Sequence, residues 1–124
     1  MEVFPEARLL VNAATGRHRI PDVMVVAIPY QKGSVVVDVP VIVVEIKSPG
    51  DTFDDIVGRC FDYEKLGVRN IVVMDPDSKR AWLFEQGNLR LLAGNSTTLN
   101  LASATIDFPF LKMLAELDRA KTDF

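Results

Sequence analysis

Pro40-Val41-Ile42-Val43-Val44-Glu45-Ile46-Lys47-Ser48-Pro49 is the stretch from which the rest of the chain can be read outward. Val41 to Val44 is an unbroken β-branched run, the composition of a strand covered on both faces. Two opposite charges then enter its far end, one apolar residue apart. Side chains alternate along a strand, so Glu45 and Lys47 share one face while Val44 and Ile46 take the other. Charges at the end of a dry strand are costly unless they pair, hold an ion or do chemistry. A structural salt bridge and a reactive site both fit this local pattern.

Upstream, Arg19-Ile20-Pro21-Asp22 leads into Val23-Met24-Val25-Val26. Proline is tolerated where a strand starts, because it gives up a ladder donor there. If this strand pairs with 41–47, Asp22 approaches Glu45 and Lys47 across the sheet. Two carboxylates and an ammonium would then share a small volume. Oxygen donors of that kind suit hard cations such as magnesium and manganese.

The flanking sequence supplies the other elements. Residues 7–13 predict a first strand, and Thr15-Gly16 a turn into a second strand from His18 to Ile28, an antiparallel hairpin. Pro29 to Ser34 reads as a loop. Val35 to Val39 extends into the third strand, giving a three-stranded meander. Ser48-Pro49-Gly50 ends that strand, and Asp51 and Thr52 are candidate helix caps, Thr52 with Asp55 resembling a capping box. Phe53, Ile56, Val57, Cys60 and Phe61 have the spacing of one buried helical face, with Lys65 in the last turn and Gly67 as the stop.

Asn70 to Met74 is a short apolar strand, and a helix between it and 41–47 predicts a right-handed parallel crossover. Arg80 to Glu85 and Leu89 to Ala93 form a second hairpin about Gln86-Gly87-Asn88. Asn95 to Thr105 is polar and irregular, with an edge strand at Thr98 to Leu101. Pro109 opens a final helix whose buried stripe is Phe110, Met113, Leu114 and Leu117. The expected class is a mixed α/β fold, one domain over residues 1–124.

Composition bounds the function. One cysteine, Cys60, excludes an internal disulfide. No apolar run approaches the roughly 20 residues of a membrane helix. The first residues lack the basic flank of a secretion signal, so a cytoplasmic setting is expected. The net charge of −3 argues against a strongly basic nucleic-acid footprint. An acidic balance is compatible with a carboxylate site that a cation neutralises.

Pro21-Asp22 followed by Glu45-Ile46-Lys47 resembles the Pro-Asp…(Asp/Glu)-x-Lys signature of the restriction-endonuclease-like nucleases. Arg19 to Val23, Val44 to Pro49, Arg59 with Tyr63, Leu66-Gly67-Val68 and Val73-Met74-Asp75-Pro76 occur in the order of the Uma-type restriction endonucleases. The similarity covers roughly residues 17–85 and the tail from Ile106. It implies a restriction-endonuclease-like core and a metal-dependent nuclease that hydrolyses DNA. Asp22, Glu45 and the Ile46 carbonyl would hold magnesium or manganese. Lys47 would orient and help deprotonate the attacking water.

The resemblance places a lysine where Arg59 stands, so Arg59 and Tyr63, on the polar side of the helix, become candidate substrate contacts. An i, i+4 ion pair of Arg59 with Asp55 is the plainer alternative. His18 is read as a solvated strand residue, Cys60 as a small core hydrophobe, and Asp75-Pro76-Asp77 as a turn. Relatives carry a helical segment before the first strand, often with another acid. Here it is expected to be absent, with Glu6 or Glu2 as stand-ins and an uncovered sheet face favouring a homodimer. The rival function is a catalytically inactive nuclease fold serving in binding or assembly.

Overall fold

The structure is a computed structural model and describes residues 2–27 and 33–122. Among these, the chain runs through β1 (Glu2–Pro5), β2 (Arg8–Asn12), β3 (Arg17–Arg19), β4 (Val23–Val26), β5 (Val35–Val36) and β6 (Ile42–Ile46). Then come α1 (Phe53–Leu66), β7 (Asn70–Asp75), β8 (Arg80–Glu85), β9 (Asn88–Leu91), β10 (Thr97–Asn100), β11 (Thr105–Phe108) and α2 (Phe110–Thr122). No described helix is long and apolar enough to cross a membrane.

The β-branched run becomes β6, an inner strand of a six-stranded sheet ordered β1-β4-β6-β7-β8-β9. β4 pairs with β6 antiparallel, Val23 opposite Val44, and β7 pairs with β6 parallel, Ile46 opposite Met74. The helix between β6 and β7 makes the expected crossover. Alternation then divides the core. Val43, Ile71 and Val73 face α1 with Ile56, Cys60 and Tyr63, while Ile42, Val44, Val72 and Met74 face α2 with Phe110 and Leu114. Glu45 follows the parity of Val43 and points to the α1 side.

Several expectations are corrected. The strand foreseen over 18–28 breaks at Ile20-Pro21-Asp22, because Pro21 offers no ladder donor and the chain changes sheets there. Its last residue, Ile28, lies outside the described residues, as does most of the expected loop at 29–34. The β2–β3 hairpin is present, with Leu9 opposite Arg19, but it belongs to a separate three-stranded sheet completed by β5, parallel to β2. Val35 and Val36 therefore do not prolong β6. In the large sheet the place next to β4 is filled by β1, which was not foreseen. The irregular stretch expected over Asn95 to Thr105 gives way at its end to a strand, Thr105–Phe108, paired with β10.

Thr52 caps α1 with Asp55 as a full capping box, and Gly67 closes it in the left-handed conformation at φ 99°. The buried face is Ile56, Cys60 and Tyr63, with Val57 packed against it. Phe53 and Phe61 are instead each 41% exposed. On the other face, Val3, Val25, Val44, Ile106 and Met113 are among the residues lining an apolar groove of about 480 Å³.

Candidate functional site

Extending the β4–β6 register by one residue sets Asp22 opposite Glu45. Asp22 lies just before β4, where the backbone has left the ladder and its side chain is free to reach across. Its Oδ2 accepts a hydrogen bond from the Ile46 backbone N–H at 2.6 Å, which fixes the carboxylate at the end of β6. The two acids line the same pocket, and Glu45 feels the Asp22 charge. Glu45 is 3% exposed. The Tyr63 hydroxyl donates to its Oε1, and Arg59 Nη1 stands 3.6 Å from its Oε2.

These contacts tune the acid. Burial pushes the Glu45 carboxyl up to about 7; the Tyr63 hydrogen bond and the Arg59 charge pull down, while Asp22 pushes further up. The Tyr63 phenol is raised by its own burial and by Glu45. Burial pulls the Arg59 guanidinium down, but its hydrogen bond to Asp51 and the Glu45 charge outweigh that and raise it.

Arg59 corrects an expectation: its partner is Asp51, with Nη2 3.0 Å from Oδ1, rather than Asp55. Asp55 is occupied by the capping box, accepting from the Thr52 N–H. Asp51, not needed as a cap, closes a tight loop by accepting from the Ser48 N–H at 3.0 Å. That contact, first among the causes, lowers its pKa.

Tyr63 is also corrected. It is fully buried rather than on the polar side of α1, with its hydroxyl turned inward to Glu45. Lys47 shares the α1 side with Glu45, as alternation requires, but its Nζ rests 5.6 Å from the centre of the Phe53 ring.

Asp22, Glu45, Ile46, Arg59 and Tyr63 line one polar pocket of about 380 Å³, together with His18, Arg19, Ile20, Ser48 and Asp51. Lys47 is not part of that lining. Among the described residues, no three His, Cys, Asp or Glu side chains converge as a metal cluster. Glu6 reaches only the backbone, its N–H donating to the Asp22 carbonyl at 3.1 Å, and Glu2 lies at the far end of β1 opposite Val26.

His18, Arg19 and Asp51 were missed. Arg19 gives its Nε to Asp62 on α1 at 2.5 Å, which draws β3 over the pocket. Its only sequence signal was its place ahead of Pro21-Asp22, and the strand break hid where it points.

The profile of the Uma2 family, described as "Putative restriction endonuclease", matches residues 2–109. No curated protein matches the chain. A crystal structure titled as a putative nuclease belonging to DUF820 from Anabaena variabilis superposes with a TM-score of 0.66 at 17% identity. The match covers 94% of this chain and 67% of that one. At that identity the likeness speaks for the fold, which is restriction-endonuclease-like. The family match spans most of the sequence, and on it the chain belongs to the Uma2 family of putative restriction endonucleases.

Proposed function

We propose that this protein is a magnesium- or manganese-dependent endonuclease that hydrolyses DNA phosphodiester bonds. One observation carries the reading: Asp22 and Glu45, from the ends of neighbouring strands, meet at a polar pocket. Burial first and the Asp22 charge after it raise the Glu45 pKa, and a bound cation would offset both. Magnesium is commonly held by one or two carboxylates while keeping several waters, so this donor set fits it without a third acid. Asp22 and Glu45 would hold the ion, with the Ile46 carbonyl as a further oxygen.

The chemistry supplied by a divalent cation held there would be a lowered water pKa and a fixed phosphate. The chain's own groups do the rest. Tyr63 and Arg59 hold the Glu45 carboxylate in place. The outer guanidinium nitrogens of Arg59 offer donors to phosphate oxygens. Lys47, on the Glu45 side of its strand and released from Phe53, orients the attacking water and offsets charge on the pentavalent transition state.

The test is incubation with plasmid and with branched DNA plus magnesium or manganese. Lys47→Ala and Asp22→Asn are each expected to slow cleavage by about 10²- to 10³-fold. Identical product patterns from wild type and Lys47→Ala would end the catalytic claim.

A second reading has its own support. Both Glu45 oxygens are already engaged by Tyr63 and Arg59, and Lys47 rests on Phe53. These are the contacts of a catalytically silent nuclease fold, used for binding or as one half of a dimer. Calorimetric titration with manganese separates the two, since a silent fold gives no heat that Asp22→Asn abolishes. Light scattering with and without DNA reports the dimer.

A further inference from the structure

We propose that Phe53 and Trp82 form a stacking platform for one unpaired nucleobase at the mouth of the polar pocket. The choice of a nucleic acid rests on the nuclease reading above; the site itself rests on separate residues. Phe53 opens α1 at a position whose spacing predicts burial, yet the residue is 41% exposed. It packs edge-on against half-buried Trp82 of β8, with ring centres 5.2 Å apart and planes at 77°. The Lys47 ammonium lies over the ring at 5.6 Å.

This group adjoins the pocket residues along the chain. Lys47 stands between Ile46 and Ser48, both pocket residues, and Phe53 follows Asp51, another, by two. An aromatic face for a base beside a cation for the backbone phosphate is the pairing on which single-stranded nucleic acid is held. Phe61 supplies an internal contrast. It is equally exposed and meets Phe84 at 5.2 Å and 81°, but the cation over an aromatic ring lies at Phe53. In a duplex both faces of a base are covered by its neighbours, so the occupant is a single strand, a frayed end or a flipped base. The base takes the ring face held by Lys47, and the displaced ammonium stays beside the pocket, where the adjoining phosphate would lie.

Trp82 is the only tryptophan in the chain and forms the platform with Phe53, so its emission reads occupancy. The experiment titrates the whole protein, in chelator, with a labelled oligothymidine single strand and with a duplex of equal length. Anisotropy reports binding and Trp82 emission reports stacking. The single strand should quench Trp82 and the duplex should not. Phe53→Leu, which keeps an apolar cover, should weaken single-strand binding by roughly fivefold or more and abolish the quench, while Phe53→Tyr retains both.

If wild type binds the oligonucleotide and Phe53→Leu binds it equally with the same quench, the platform is overturned and the nuclease reading stands. If wild type binds neither nucleic acid, the platform is overturned, and cleavage with magnesium or manganese decides the nuclease reading separately.

Discussion

Asn70 and Glu45 are buried in adjacent central strands, near opposite ends of the same sheet. At the first residue of β7, Asn70 spends both amide hydrogens on carbonyls, those of Val41 and Asn100, each at 2.8 Å. There the buried polar group is neutral and tied. Near the last residue of β6, Glu45 has a hydroxyl and a guanidinium for partners and a second carboxylate as neighbour. Among the described residues no buried side-chain polar atom lacks a partner, so satisfaction does not separate the two sites. Charge does. An amide has one state and can be locked, whereas this carboxyl sits near neutrality and is poised between two.

The sharpest way to break the comparison is Glu45→Gln, which makes both ends amides. The folded pKa of about 7 stands above the ordinary 4.5, so the folded state binds more protons between those values. Stability is therefore lost as pH rises from about 4.5 to about 7, and the full cost is present above 7. The variant should exceed wild type in stability at pH 8 by on the order of 3 kcal/mol, the gap closing below about pH 5. Denaturant melts across that range check it, and a gap independent of pH would refute the assignment.

Next in size, Asn70→Ala strands two buried carbonyls and should cost about 2 kcal/mol at every pH, without changing cleavage once folded. The smallest expected effect is that of Tyr63→Phe. Removing a hydrogen bond that lowers the Glu45 pKa should move its titration upward, visible by carbon-13 NMR of the carboxyl. A downward shift would mean that the phenol does not stabilise the ionised acid.

How much of this was legible varies residue by residue. β6, α1, β7 and the second hairpin follow from local rules: β-branching, a capping box, a glycine stop and a short turn. Asp22 beside Glu45 was also readable, because strand pairing and alternation fix it. What escaped depended on sheet membership. Nothing local says that Pro21 marks a change of sheet, or that Val35 and Val36 pair with β2 rather than lead into β6. The helical stripe was misplaced because Tyr63 carries a polar tip and Phe53 does not. The hydroxyl found its partner inside, and the phenylalanine was left half outside. The i, i+4 spacing pointed Arg59 to Asp55 as the plainer alternative, but capping had already claimed Asp55, and the guanidinium took Asp51.

Cys60 carries one more consequence. It is fully buried beneath α1, where desolvation first and the Glu45 charge second push its thiol up to about 12. A thiol so placed barely ionises and has no path to solvent, so alkylating reagents pass it by. It reacts only in the moments when the helix lifts from the strands. The chain thus carries a built-in clock for that breathing motion, and its ticking rate tells how often the floor beneath Glu45 opens.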